Sequence, residues 1–397
     1  MKNRILNMAL VLVLALASCA QQDEQLTLAL NQSGSNKAEL EKAIKHYKGE
    51  QREAMEFLVK YMPERDLTTL TADFLIENLD YAYKAREEFP WAKAVDKEIF
   101  FNDVLPYVSL NERRDQWRAD FYERFKKYVG EAQTLEEAIW AVNNNIVKEV
   151  EVEYNTKRRK ADQSPYESME QHMASCSGLS ILLVDAFRAV GIPARVAGTP
   201  IWYNNSGNHN WVEVCVNGSW HFTEYYPSKK QKLDDSWFLE RAGKADVNNP
   251  MQWIYASSYK PTEVTYPLVW DFNIKYVYAE NVTDRYISLY ATENKDMLNA
   301  INLQVVMLEE GQEKVSGNNR VRSKVELLKD KASVDSGITS GARDDMNNFL
   351  NFKVQKNQAY QLKYEDEKGK MIVKEVAPSG EDVQIILSGG KALRFRP

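Results

Sequence analysis

The first part of the chain has the apolar periodicity of amphipathic helices. Between about residues 37 and 128, apolar residues recur every three or four positions in three long segments, and the first two segments end at prolines. A further segment, TLEEAIWAV, opens with Thr134 and Glu137 at the spacing of a capping box. This pattern predicts a helical region over residues 37–150.

The last part of the chain has the alternating pattern of β-strands. From residue 268 onward, seven apolar runs are separated by Gly, Asn and Asp: WDFNIKYVYAENV, RYISLYA, INLQVVMLEEG, RVRSKVELLKD, NFLNFKVQKNQAYQLKYED, KMIVKEVA and VQIILSGG. Short strands at this spacing are typical of two packed antiparallel sheets. We therefore predict an all-β sandwich over residues 263–397.

Residues 151–262 combine one long apolar helix with short strands. In SCSGLSILLVDAFRAVGIPAR the apolar positions follow helical spacing, and a glycine and a proline mark the end of the helix. Ser175, Cys176 and Ser177 then lie in the cap and first turn, where unpaired N–H groups and the helix dipole favour an anion. The pattern predicts an α+β core between the helical region and the sandwich, and an α+β fold class for the chain.

A β-hairpin in NHNWVEVCVNGSWHFTEYYP brings two polar residues together. The Asn-Gly pair at residues 217–218 lies between alternating runs and predicts a two-residue turn. The resulting register makes His209 and Glu224 diagonal neighbours on one face, about 7–8 Å apart at Cα. His221 points to the opposite face. His209 is therefore a candidate general base, with Glu224 as the carboxylate that orients it.

Length and charge narrow the classes of function. A chain of 397 residues is longer than one typical domain, so two or three domains are expected. Its composition, 44% hydrophobic and 27% charged residues, is typical of a globular protein. The net charge of −6 and the lack of a basic stripe with interleaved aromatic residues argue against nucleic acid as a partner.

The N-terminus has the layout of a secretory leader. Residues 1–18 begin with basic residues and continue as an apolar run that is too short to span a membrane. The run ends in Leu-Ala-Ser-Cys, which resembles a bacterial lipobox and implies cleavage before Cys19 and acylation of its sulfur. The polar residues 19–36 are predicted to be a tether. These features predict a protein anchored by lipid in the bacterial cell envelope, facing the periplasm or the cell surface.

Two cysteines remain if Cys19 carries lipid. In an oxidising compartment Cys176 and Cys215 could form a disulfide. However, Cys215 lies about 20 Å along its strand from His209, so a Cys176 placed beside His209 cannot also reach it. Cys176 is then either a thiolate nucleophile activated by His209 or a small buried residue.

A metal centre is not expected from the histidine and cysteine spacing. Cys176, His172, His209 and His221 match no zinc pattern, and His209 and His221 point to opposite faces of the hairpin. No motif for a cofactor is apparent, so we expect neither a metal nor a cofactor.

The order of these motifs resembles the core domain of the transglutaminase-like superfamily, a papain-like cysteine enzyme fold. Cys176 with its apolar helix, GIPARVAG, NHNWVEV and NGSWHFTE carry the resemblance, which covers about residues 154–227. It implies that Cys176 is the nucleophile, His209 its histidine and Glu224 the acidic residue, where the family usually has aspartate. The resemblance also implies acyl transfer from an amide through a thioester, with a peptide or protein as the substrate.

The flanking sequence is similar to the helical N-terminal regions of bacterial transglutaminase-like lipoproteins. Gln171 lies shortly before Cys176, as an oxyanion-hole glutamine does in papain-like enzymes, so it is either an oxyanion donor or a surface residue. Trp211 either lines the site or packs in the core.

These observations together favour a cysteine hydrolase that acts on amide or peptide bonds. Two alternatives stay open: a non-enzymatic surface module that binds peptide or glycan, and a transferase that cross-links proteins through amines.

Overall fold

The computed structural model describes residues 24–228, 230–293, 300–316, 318–379 and 382–393. The predicted signal peptide and the lipidation residue Cys19 lie outside these residues. Within them, no helix has the length and apolar character needed to cross a membrane.

Helices dominate the chain up to residue 189. They are α1 (residues 24–32), α2 (Lys37–His46), α3 (Gly49–Tyr61), α4 (Glu64–Leu67), α5 (Ala72–Glu88), α6 (Pro90–Lys93), α7 (Lys97–Ile99), α8 (Arg118–Val129), α9 (Leu135–Asn143), α10 (Ile146–Val150), α11 (Pro165–Gln171) and α12 (Cys176–Ala189). A π-helical turn covers Phe100–Val104. The capping box of Thr134 and Glu137 opens α9 as predicted. The predicted helical N-terminal region is confirmed.

The predicted tether over residues 19–36 is wrong for its second half. Helix α1 packs against the helical core through Leu26 and Leu30, and Ala29 is buried. The Asn36 side chain donates hydrogen bonds to the backbone carbonyls of Leu67 at 2.9 Å and Leu70 at 2.8 Å. The packed part of the chain therefore begins before residue 37.

The central part of the chain is an α+β core. Its strands are β1 (Glu153–Tyr154), β2 (Met173–Ala174), β3 (Ala194–Thr199), β4 (His209–Val216), β5 (Ser219–Thr223), β6 (Tyr255–Ser258), β7 (Val264–Thr265) and β8 (Tyr278–Asn281), with helix α13 (Leu239–Gly243) between β5 and β6. Six of them form one sheet in the order β5-β4-β3-β6-β8-β7, while β1 and β2 pair in parallel. The apolar stripe of α12 packs in the same core cluster as residues of this sheet.

The hairpin of β4 and β5 has the predicted register. Val216 pairs with Ser219 and Val214 pairs with His221. Asn217 and Gly218 have φ angles of 52° and 81°, as a type I′ turn requires. This register places His209 and Glu224 at the same end of the hairpin.

Two buried arginines join the helical region to the core. Arg118 of α8 donates hydrogen bonds of 2.9–3.1 Å to four backbone carbonyls, those of Val104, Leu105, Pro106 and Arg188. Arg188 at the end of α12 donates to the carbonyls of Asp103, Val108 and Ala194. Because these carbonyls belong to both regions, the helices and the sheet pack as one unit that holds α12 firmly.

The core extends beyond the predicted boundary at residue 262. Strands β7 and β8 belong to the core sheet, and the predicted strand at residues 285–291 is helix α14 (Thr283–Glu293). Tyr286, Leu289 and Tyr290 follow helical spacing and pack against one apolar cluster, so the helical period is the correct interpretation of this run.

The C-terminal region is a two-sheet β-sandwich, as predicted. Its strands are β9 (Ala300–Leu308), β10 (Lys324–Lys329), β11 (Ala332–Ile338), β12 (Leu350–Gln355), β13 (Tyr360–Glu365), β14 (Met371–Val376) and β15 (Asp382–Ser388). The two sheets have the orders β11-β10-β13-β14 and β12-β9-β15. Apolar residues from both sheets, such as Leu303, Val305, Leu327, Phe352 and Leu362, form its core. The whole chain therefore has the predicted α+β class.

Candidate active site

Cys176 is the first residue of α12. The Ser175 side chain caps the helix by accepting a hydrogen bond of 3.1 Å from the Gly178 N–H, and it donates one of 2.6 Å to the Ala161 carbonyl. Cys176 is half-buried and has no disulfide partner, and Cys215 is likewise free. The alternative of a Cys176–Cys215 disulfide is therefore wrong.

His209 is the first residue of β4 and packs against aromatic side chains. Its ring centroid is 4.9 Å from Trp237, 5.5 Å from Phe238 and 5.8 Å from Trp211. The side chain is only 4% exposed. These rings fix the orientation of the imidazole and keep bulk water away from its faces.

Glu224 follows the end of β5 and holds one nitrogen of the imidazole. Its Oε1 lies 2.8 Å from Nε2 of His209. The indole N–H of Trp237 donates to the same oxygen at 3.2 Å, and the Ser236 hydroxyl donates to Oε2. The carboxylate is thus fixed by two donors besides the histidine, although the longer glutamate replaces the usual aspartate.

A second carboxylate, which the sequence analysis missed, lies at the other nitrogen. Oδ2 of Asp345 is 3.4 Å from Nδ1 of His209. The Cys176 sulfur, a ring nitrogen of His209 and a carboxylate oxygen of Asp345 all lie within 4.8 Å of one another. Asp345 therefore lies at the Nδ1 side of the ring and Glu224 at the Nε2 side, with the Cys176 sulfur close to both His209 and Asp345.

Asp345 comes from the segment between β11 and β12, residues 339–349, which we call the 339–349 loop. Arg320 donates hydrogen bonds to its backbone carbonyls at Asp344, Asp345 and Asn348. Asn347 of the loop donates to the Asn208 carbonyl at 2.6 Å, next to His209. No local pattern marks Asp345, because only the packing of the sandwich on the core brings it to the site.

The two carboxylates control the charge of the imidazole. Burial lowers the pKa of His209, but Asp345, Cys176 and Glu224 together raise it well above its usual value. Burial raises the pKa of Asp345, but His209, the Asn347 N–H and Arg320 lower it below its usual value. The site therefore favours an imidazolium held between two carboxylates.

Comparison with known families agrees with the motif order. The sequence model of the transglutaminase-like superfamily matches residues 123–224, which include Cys176, His209 and Glu224. This chain contains a transglutaminase-like domain. No curated protein has a sequence that matches the chain.

Solved structures similar to this chain include bacterial and fish proteins. A protein from Cytophaga hutchinsonii proposed to be a cysteine protease is 18% identical over 37% of this chain and 48% of its own, with a TM-score of 0.28. One from Parabacteroides distasonis proposed to be a protease is 8% identical over 77% and 53%, with a TM-score of 0.25. Red sea bream transglutaminase is 9% identical over 77% and 59%, with a TM-score of 0.26. This chain spans about half the length of these structures.

A cleft of about 340 Å³ lies where the transglutaminase-like domain meets the sandwich. Glu224, Trp237 and Asp345 line it on the side of the site, and Arg322 and Arg343 line it on the sandwich side. Its volume is in the range of pockets that bind small ligands. A substrate group lodged in this cleft would lie next to both carboxylates of the site.

The other predicted residues of the transglutaminase-like domain have structural partners. The Gln171 amide donates to the Glu167 carbonyl at 2.8 Å and accepts from the Arg159 N–H at 3.1 Å, and its oxyanion role stays a prediction. Trp211 is buried, donates to the Tyr286 hydroxyl at 2.6 Å and packs beneath His209.

Proposed function

We propose that this protein is a cysteine hydrolase that cleaves amide or peptide bonds through a thioester acyl-enzyme. The supporting observation is that His209, the first residue of β4, lies close to the Cys176 sulfur at the start of α12 and to the Glu224 carboxylate just after β5. A nucleophile, a base and a group that orients the base are the parts that acyl transfer needs.

In the proposed acylation step, the Cys176 thiolate attacks the carbonyl carbon of the substrate. The carbon–sulfur bond forms and the carbonyl oxygen becomes an oxyanion, which the Cys176 backbone N–H at the start of α12 can stabilise. His209 then gives the proton on its Nδ1 to the leaving nitrogen as the carbon–nitrogen bond breaks. Glu224 on Nε2 keeps the ring in the orientation that this transfer requires.

In the proposed deacylation step, water attacks the thioester carbonyl. Neutral His209 accepts a proton from the water at Nδ1. The carbon–sulfur bond then breaks, the carboxylic acid product is released, and Cys176 is regenerated as the thiolate. An amine could replace water in this step and would give a transferase. We favour water because no amine-acceptor site is evident in the sequence.

We further propose that the hydrolase is anchored by lipid at Cys19 in the bacterial cell envelope and acts on peptides or proteins there. The lipobox-like ending of residues 1–18 supports this proposal. A peptide or protein substrate supplies the amide bond that this reaction needs, and the acidic net charge disfavours nucleic acid.

Synthetic peptides with blocked termini, incubated in heavy-oxygen water with and without methylamine, test the reaction type. We expect the wild-type protein to cleave a subset of the peptides and to leave one heavy oxygen in the new carboxylate. Products that are mostly methylamides would favour the transferase. Saturable binding of peptides without cleavage would favour the surface module.

A further inference from the structure

Three side chains that commonly bind transition metals meet at the active site. The Cys176 sulfur, a His209 nitrogen and an Asp345 oxygen lie within 4.8 Å of one another. Thiolate, imidazole and carboxylate are the ligands that zinc takes in proteins. These three residues differ from the four considered in the sequence analysis. The rings of His172 and His221 are instead hydrogen-bonded to the Glu151 carbonyl and to the Asp234 carboxylate.

Two of the three candidate ligand atoms lack hydrogen-bond partners. Among the described residues, neither Nδ1 of His209 nor Oδ2 of Asp345 has one, although His209 and Asp345 are 4% and 8% exposed. Buried polar atoms normally have a partner, and leaving one unpaired is costly. These two atoms form an ion pair of 3.4 Å when the imidazole is protonated, but in the neutral ring with its proton on Nε2 both are lone-pair donors without a hydrogen bond, and a shared cation would satisfy them.

The separation of these two atoms fits a common metal ion. Metal–nitrogen and metal–oxygen bonds of about 2.0–2.1 Å in tetrahedral geometry place the two ligand atoms about 3.3 Å apart. Nδ1 and Oδ2 are 3.4 Å apart. The sulfur would have to come to about 3.6 Å from them, and rotation of the Cys176 side chain about its Cα–Cβ bond can supply this shift.

Surrounding contacts hold the histidine and the aspartate in the orientation that a metal needs. Glu224 binds Nε2 of His209, which leaves the Nδ1 lone pair for a metal. The other oxygen of Asp345 accepts a hydrogen bond of 2.8 Å from the Asn347 N–H. Arg320 fixes the backbone of the 339–349 loop. The histidine and the aspartate are therefore in place without an ion, and only the Cys176 side chain has to rotate.

From these contacts we propose that Cys176, His209 and Asp345 form a zinc site with a fourth position open to water. Zinc bound there ties up the sulfur and the Nδ1 lone pair that the proposed hydrolysis uses, so the zinc form is inactive and removal of zinc restores turnover. The effect on turnover rests on the proposed function, whereas the binding itself does not.

Titration of the metal-free, full-length mature protein with Co²⁺ tests the binding, with Zn²⁺ as competitor. We expect one equivalent of Co²⁺ to give a sulfur-to-cobalt charge-transfer band that Zn²⁺ removes. Cys176→Ser should abolish the band. Asp345→Asn should raise the Kd at least about 10- to 100-fold, since it replaces an anionic ligand by a neutral amide of the same shape. Glu153→Gln, which removes a carboxylate that pairs with Arg343 of the same loop, should leave the Kd unchanged.

The wild-type titration alone can overturn this proposal, whatever the variants do. Absence of a charge-transfer band at one equivalent of Co²⁺ would exclude the site. An unchanged Kd for a folded Asp345→Asn variant would exclude Asp345 as a ligand and with it the three-residue site. A metal-free protein that binds Co²⁺ as expected but cleaves no peptide would contradict the proposed hydrolase and leave the metal site standing.

Discussion

Replacing Cys176 by alanine is expected to lower kcat/KM for peptide cleavage at least about 10⁴-fold. The substitution removes the atom that attacks the carbonyl, and no other described thiol can take its place, because Cys215 is buried near the far end of β4, about 20 Å along the strand from His209. Residual cleavage would come only from binding and oxyanion stabilisation. The measurement is steady-state cleavage of the best peptide found for the wild-type protein.

Cys215→Ala is the matched control for this substitution. It makes the same chemical change, loss of one thiol group, at the other described cysteine, and it should retain wild-type kcat/KM. Equal losses in the two variants would mean that the loss reflects folding. Full activity of Cys176→Ala would refute the assignment of the nucleophile.

The second large effect is expected for Glu224→Gln, with a loss in kcat/KM of about 10²- to 10⁴-fold. Glutamine fills the same space but carries no charge, so the imidazolium loses its partner at Nε2. Its amide nitrogen can also donate to Nε2, and that contact favours a neutral ring with the proton on Nδ1, the wrong form to accept a proton from Cys176 or water.

Nitrogen NMR of the His209 ring separates this role from a merely structural one. We expect Glu224→Gln to shift the tautomer and protonation state of His209 while the melting temperature changes little. Glu224→Asp should restore much of the activity if the shorter carboxylate still reaches the ring. A Glu224→Gln variant with normal kcat and an unaltered His209 spectrum would show that Glu224 has no part in the reaction.

The local half of the site could be predicted from the sequence. The Asn-Gly turn at residues 217–218 fixes the hairpin register, and that register alone places His209 near Glu224. The apolar period of α12 and its glycine-proline end place Cys176 in the first helical turn. Both are short-range patterns, in which the spacing of residues determines the geometry directly.

The rest of the site depends on tertiary packing that no local pattern encodes. Asp345 reaches His209 only because Arg320 shapes the 339–349 loop and the sandwich docks on the core. Strands β7 and β8 join the core sheet across a boundary where the composition does not change. The aromatic residues of the run at residues 285–291 favour a strand, yet the run forms helix α14. Its helical spacing is stabilised by the packing of Tyr286 in an apolar cluster, which the local sequence does not reveal.

Alkylation of the two described cysteines in one molecule tests the central claim most directly. The metal-free protein is treated with iodoacetamide at mildly acidic pH, and modification of each cysteine is followed by peptide mass spectrometry. Burial raises the pKa of Cys215, which therefore serves as the slow internal reference, and a short unstructured cysteine peptide is the external one. Because His209 can stabilise a Cys176 thiolate, we predict that Cys176 reacts on the order of 10²-fold faster than the peptide. A Cys176 rate equal to or below that of the peptide would contradict an activated nucleophile at this site.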